Sequence, residues 1–446
     1  MATPRPQEIL AHVGGRAWLR YGGSRRRRYR TEHGPPTVAR STVGTTIGRD
    51  GLLHTAAVDT PRLWWLDLDG DGIYDAVGVA LEGARTNSFW PSEDFTHANW
   101  VQSGVTVSAN ATTGPDGTVS ADKVVEDASL GAVHHVRQSI AGATDSAPQS
   151  FLFAVKAAER TWALARTVDK AGTGKESYFN LSTGAWATVS TSHVVLPPWK
   201  LANGWYVLPV TLLNVGTGVS TPFGEIGPTT GDGVVVYDGS VGSGIFVGAS
   251  QWEKDAPFPS SYIKTLTAAV ARGADTMPFP IGYGPPPAGV AYTSYMKVVP
   301  FWPGGTLVTP SSSAHGMGSI GIVTPFTADG KTTWDIANRR YDGGNVNSRV
   351  NANNVTIQTQ VALPSSLVPL RMLSRIEPVG TDHRLYFEFG GGGNATTGTL
   401  TIGGFPWREQ TMRPNERGNG ADPGFAILVD WLVARGSFTL AEMEAY

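Results

Sequence analysis

The chain has 446 residues, 41% hydrophobic and 16% charged, with a formal net charge of -2 and no cysteine. That length exceeds one ordinary core and predicts two or three domains; the apolar content excludes a disordered chain, and the near-neutral charge excludes a global field recruiting nucleic acid or membrane. Disulfides and thiolate metal sites are excluded outright, while 55 glycines and 30 prolines fit many short strands joined by turns.

The opening stretch MATPRPQEILAHVGGRAW lacks the basic-then-apolar order of a signal peptide. No apolar run approaches the roughly 20 residues of a membrane-spanning helix, so a soluble product made in a cytoplasm is expected. Residues 1–40 read as a basic arm, with Arg25, Arg26, Arg27, Arg28 and Arg30 between Arg16, Arg20 and Arg40. Like charges repel and resist folding. The arm is therefore either a solvated tail or an electrostatic anchor that orders on an acidic partner. Nucleic acid is disfavoured, because Tyr29 is the one aromatic interleaved with the run.

Residues 61–80, PRLWWLDLDGDGIYDAVGVA, predict a hairpin in which Trp64, Leu66 and Leu68 alternate with Trp65 and Asp67. Its turn also fits the first nine positions of a calcium loop. Asp67, Asp69, Asp71 and Asp75 would supply carboxylates, Gly72 the sharp turn and Ile73 its carbonyl, a donor set for the hard cation Ca2+. Gly78 stands where an EF-hand has its bidentate Glu, and the flanks read as strands. The alternative is an acidic Asp-Gly hairpin turn without metal.

Between Arg85 and Ile263, β-rich runs cover 105–109, 151–157, 162–168, 206–212, 234–238 and 245–251, separated by Gly-, Pro- and Asp-rich turns. This punctuation predicts an antiparallel sandwich of jelly-roll or Greek-key kind. In the last run, alternation puts Ile245, Val247 and Ala249 on one face and Phe246, Gly248 and Trp252 on the other. Pro257 and Pro259 then stop the ladder.

An ordered series of short motifs runs through this region: Glu82-Gly83-Ala84-Arg85-Thr86-Asn87, Ser92-Glu93-Asp94-Phe95, Ala121-Asp122-Lys123, Arg137-Gln138-Ser139, Asn203-Gly204-Trp205-Tyr206 and Ser260-Ser261-Tyr262-Ile263. The series resembles a widespread family of bacteriophage and prophage virion proteins over about residues 41–275. That family looks like a carbohydrate-binding-module jelly roll, usually in tail-fibre-like or other virion surface proteins. The resemblance implies a place in the virion, with other capsid or tail proteins, glycans and further copies of the chain, a trimer favoured, as partners. Arg272-Gly273-Ala274-Asp275 looks like the family's closing signature and implies a short tether holding the two halves in a fixed arrangement. Most motif residues read as turn and core formers. Trp186 and Trp199, each near a turn cluster, are the candidate glycan platforms, with scaffold packing as their alternative role.

Residues 276–446 continue the β pattern, with strands expected at 290–299, 320–324, 332–337, 349–353, 355–361, 370–378, 383–389 and 399–402. Leu400 to Gly404, Phe425 to Arg435 and the capping box Thr439 with Glu442 resemble laminin-G-like or concanavalin-like lectin sandwiches. The expected fold is all-β: two antiparallel sandwiches, 41–275 and 276–446, in tandem behind a basic arm.

No phosphate loop, His-Glu-x-x-His or nucleophile elbow occurs. His134 and His135, adjacent in a strand, point to opposite faces and do not share a metal. No pair of carboxyls for glycoside hydrolysis is visible. The expectation is a non-enzymatic virion protein that adheres to glycans. Capsid or tail cement without glycan binding is the first rival, and a polysaccharide depolymerase the weaker one.

Overall fold

The computed structural model describes residues 9–14, 38–67 and 71–275 and, from 277 to 435, the backbone of the strands. The anchor arginines Arg25, Arg26, Arg27, Arg28 and Arg30, the loop residue Asp69 and the capping box at Thr439 lie outside the described residues. Among those described, the regular elements are strands apart from one 3-10 turn at Ala202–Gly204. The chain is all-β, and no described helix is long and apolar enough to cross a membrane.

Two antiparallel sheets form a sandwich between residues 101 and 253. The first runs Ala185–Val189, Gly174–Asn180, Trp162–Val168, Phe223–Thr229, His135–Ser139, Val101–Ser103. The second runs His193–Val195, Tyr206–Leu212, Gln149–Ala157, Gly244–Glu253, Val119–Glu126, Val105–Thr113, and Trp199–Lys200 also pairs with Tyr206–Leu212. Alternation explains the core between them. Phe151, Phe153 and Val155, with Leu208 and Val210 beside them on the same sheet, face Ile226, Ala163 and Phe179 of the other, all almost fully buried. Each of these Phe, Val, Leu and Ile side chains contributes about 1.5–3 kcal/mol of burial.

The alternate residues Leu152 and Ala154 are buried too, because the outer face of the second sheet is itself covered. Ser150 Oγ donates to Ala256 O at 2.7 Å. A Cβ on Gly248 would meet Pro115 at 2.5 Å and the Trp205 ring at 2.9 Å, so only glycine lets those rings lie flat there.

Gly248 also corrects the expected alternation. The register slips between Val155↔Val247 and Ala154↔Ala249, leaving Gly248 without a partner. Such a bulge reverses the faces beyond it. Trp252 therefore joins Ile245 and Val247 in the core instead of opposing them. The run 234–238 is not a strand either: its tie is an isolated bridge, Ala132↔Tyr237. Asp232, which binds Thr188 N and Oγ1 at 3.0 and 2.9 Å, and Tyr237 hold it as a strap.

The hairpin Arg62–Leu66 with Asp75–Glu82 reads as expected, Trp64 and Leu66 inward and Trp65 half-buried. Its sheet membership does not follow the partition at 275/276. Asp75–Glu82 pairs with Phe425–Arg435, inside an eight-stranded sheet that continues through Tyr292–Pro300, Leu370–Val379, Asp382–Phe389 and Thr396–Leu400. Ile9–Gly14, within the region read as a free arm, pairs with Ala434 to Asp430 of that same strand. A second sheet, Ile322–Thr324, Trp334–Asp342, Asn345–Ala352 and Val355–Ala362, completes the described C-terminal strands apart from Met277–Phe279 paired with Gln410–Met412.

Candidate functional site

The motif series converges on one buried seam where the hairpins, the sandwich and the exit segment meet. Arg40, Arg62, Glu82, Arg272 and Asp275 are each at most 1% exposed. Arg62 Nη2 lies 2.6 Å from Glu82 Oε2 and also binds Asp275 Oδ2, while Arg272 Nη2 reaches Glu82 at 3.2 Å. Ser261 donates to Glu82 through N and Oγ at 2.7 and 2.6 Å, and its Oγ accepts from Arg62 at 2.6 Å. Burial acts upward on Glu82, but Arg272, Arg62 and Ser261 outweigh it and hold the carboxyl at about 2. Burial lowers Arg272, with Arg62 adding to the fall against Glu82 and Asp275.

The neighbouring motif residues are equally occupied. Arg85 pairs with Glu253 at 3.1 Å, Asn87 Nδ2 donates to Ile263 O at 2.8 Å, and Tyr262 OH donates to Glu93 at 2.9 Å. Asp122 accepts from Phe95 N and Asn110 N at 2.8 and 2.9 Å. Trp205 Nε1 donates to Thr113 O at 3.0 Å. These groups build the frame, as paired buried polar groups do.

An open groove of about 470 Å3 lies on the surface of the hairpin Gly44–Ile47, Leu53–Ala56, lined by Arg49, Asp50 and His54. His54 Nε2 meets Asp50 Oδ1 and Oδ2 at 2.8 and 3.0 Å, and both side chains are about half exposed. The Arg49 guanidinium sits 6.0 Å from the Trp65 ring centre. Slight burial acts upward on Asp50, and the hydrogen bonds from His54 and Leu52 N outweigh it and hold its carboxyl below the usual value.

The turn carrying these side chains is preformed. Gly51, at φ +72°, lies against the Tyr74 ring where a Cβ would come within 2.4 Å. Its carbonyl accepts from Ala202 N at 2.9 Å, and Leu53 N donates to Pro115 O at 3.0 Å. The groove thus presents a guanidinium, a carboxylate and an imidazole on one clamped turn, with the half-buried Trp65 indole beneath Arg49 beside it, a set of aimed polar groups of the kind small-ligand sites use. Sequence reading missed it. The alternation that left Trp65 outward was the one signal available, since Arg49 and Trp65 meet only through tertiary packing.

The sequence-predicted site residues lie elsewhere. Trp199 is 3% exposed and packs edge-to-face on Trp64 at 5.0 Å, so it is no glycan platform. Pairing of Trp199–Lys200 with Tyr206–Leu212 carries it inward despite the adjacent Pro197-Pro198. Trp186 is half-buried, edge-on to Phe179 at 5.2 Å, and its Nε1 donates to Leu196 O at 3.0 Å, which is the packing role.

The acidic loop also divides. Asp67 binds Lys200 Nζ at 2.8 Å, Asp71 Oδ1 accepts from Ile73 N at 2.7 Å in a local turn, and Ile73 and Asp75 are exposed. No cluster of three metal-ligating side chains occurs among the described residues. His134 and His135 do part company: the His134 ring nitrogens face Gly104 O and Tyr237 O, while His135 lies near Glu225.

No known family model matches the sequence, and no curated protein resembles it at a significant level.

Proposed function

We propose that this chain is a virion surface protein of bacteriophage type that works by non-catalytic adhesion, the groove lined by Arg49, Asp50 and His54, with Trp65 beside it, taking a glycan. The observation that carries the reading is the groove itself. Its three polar side chains reach for hydroxyls or an acidic substituent, and the half-buried Trp65 indole beneath Arg49 is the adjacent flat surface that a sugar could share with that guanidinium. The clamped turn keeps the ordering cost of binding low. Repetition of a weak site on an oligomeric particle would raise avidity through effective concentration. The motif resemblance supplies the virion setting. A glycan array probed with the full chain and with Trp65→Ala tests the reading: binding to a glycan class, lost in the variant, is the expected result.

One observation favours the cement reading as the second. Leu130, Val236 and Val241 are 78%, 55% and 75% exposed on two loops joined by Gly239 N to Ser129 O at 2.9 Å and Gly131 N to Asp238 at 2.8 Å. Apolar side chains gathered at one loop tip suit contact with another protein. Loss of particle attachment on Leu130→Asp, with glycan binding intact, would assign that tip to subunit contact.

A further inference from the structure

The outward face of the first sheet carries a second, unassigned polar cluster. Val136 and Ile226 point into the core, so their neighbours His135, Arg137 and Glu225 point outward, and Arg137 stands directly across from Glu225. On the other side Glu225 faces Arg166, whose Nη1 binds its Oε2 at 2.6 Å while Nε binds Glu176 at 2.9 Å. Both His135 and Glu225 are buried, 4% and 0% exposed.

Four polar atoms in this cluster have no hydrogen-bond partner: His135 Nδ1, His135 Nε2, Arg137 Nε and Glu225 Oε1. The contacts of these side chains with the Glu225 carboxyl are too long for direct bonds. His135 Nε2 is 4.0 Å from Glu225 Oε2, and Arg137 Nη1 is 3.8 Å from Glu225 Oε1. Bare buried groups of this kind call for a bridging partner.

Their chemistry selects the partner. Burial, with Arg137 and Arg166 beside it, lowers His135 to about 3, so the ring is neutral and offers one donor and one acceptor. Arg137 Nε adds a donor and Glu225 Oε1 an acceptor, giving two of each. An anion would meet the Glu225 carboxyl, and a cation would meet Arg137 and Arg166. Two adjacent hydroxyls match the set, because each donates once and accepts once. Arg137 is the movable side: a third exposed, it lies over the Phe223 ring at 4.4 Å and can swing from Glu225 as a ligand enters.

We infer that His135, Arg137 and Glu225 form a binding site for a neutral vicinal diol, separate from the Trp65 groove and independent of what that groove binds. The test uses the full chain labelled with 15N-histidine, the His135 ring signals being assigned through His135→Gln. It is titrated with methyl α-D-mannopyranoside, with glycerol and with inorganic phosphate. Expected is a saturable shift of the His135 signals with the mannoside, placing a saccharide here, or with glycerol alone, placing a smaller polyol. Arg137→Ala, on the rim, should weaken it at least tenfold with the melting temperature little changed, and Trp65→Ala should leave it unaltered. No saturable shift with either diol, or a stronger response to phosphate, would overturn the assignment.

Discussion

Arg40 and Asp275 stand 235 residues apart, yet Arg40 Nη1 donates to Asp275 Oδ1 at 2.8 Å with both side chains fully buried. That bond joins Arg40, the last residue of the stretch read as a basic arm and here fully buried, to the last residue before the C-terminal half. Arg40 is further held by Thr42 O at 2.8 Å and Ala57 O at 2.6 Å. Asp275 also accepts from Glu82 N at 3.0 Å, and its own N donates to Glu82 O at 2.8 Å. The tether at 272–275 is thus part of the frame.

Removing one partner of such a cluster leaves charges buried without compensation. Asp275→Ala should cost about 3–5 kcal/mol in chemical denaturation. Asp50→Ala, which breaks the half-exposed pair with His54, should cost less than about 1 kcal/mol. Equal costs would show that the seam is not a special source of stability.

Acid should loosen the sandwich before it disrupts the seam. His135 and His193 are both lowered to about 3, by burial first and then by Arg137 and Arg166 or by Lys175. A histidine lowered on folding contributes stability that is present above its unfolded value near 6.5 and is lost as pH falls toward the folded value. Each should cost about 2 kcal/mol between pH 7 and pH 5. Glu82, held at about 2, adds its own loss only as pH falls through about 4.5. Glu225 and Glu253, pushed upward by burial, act in the opposite sense. His193 bonds both Thr167 Oγ1 and Ser177 Oγ, at 2.9 and 2.8 Å. His193→Gln should therefore flatten the fall of melting temperature between pH 6.5 and pH 5; an unchanged slope would contradict the assignment.

Limited proteolysis should map the joint. Pro257 to Ile263 are buried, whereas Leu266 to Ala271 are exposed before Arg272 enters the seam. Cleavage is expected within 266–271 and not within 257–263. The fragments should remain associated in native buffer, because Val270–Arg272 pairs with Arg85–Asn87 and Arg272 and Asp275 stay bound. Fragments that separate without denaturant would contradict a fixed tether.

Strand existence was legible wherever alternation was local: Trp162–Val168 and Tyr206–Leu212 fall on the expected residues, and Val355–Ala362 and Leu370–Val379 differ by one. The reversal at Gly248 was not, because a bulge is set by the partner strand. Trp199 misled because its prolines suggest surface, while its burial comes from Trp64, 135 positions away. The motif residues lie in turns and buried contacts, but their convergence was hidden by bonds that span 176 residues for Asn87 with Ile263 and 213 for Arg62 with Asp275. The groove joins Arg49 to Trp65 across two hairpins, a juxtaposition that no spacing encodes.

The most direct measurement of the adhesion account is a glycan-binding titration of the intact chain beside Trp65→Ala and Arg49→Ala, with melting curves of all three. Saturable binding by the parent chain, lost by at least tenfold in both variants, is the predicted result, with the melting temperature of Arg49→Ala kept within about 2 °C as for an exposed residue and Trp65→Ala, which loses a half-buried indole, still melting cooperatively. Absence of glycan binding, or binding that survives both substitutions, would contradict it.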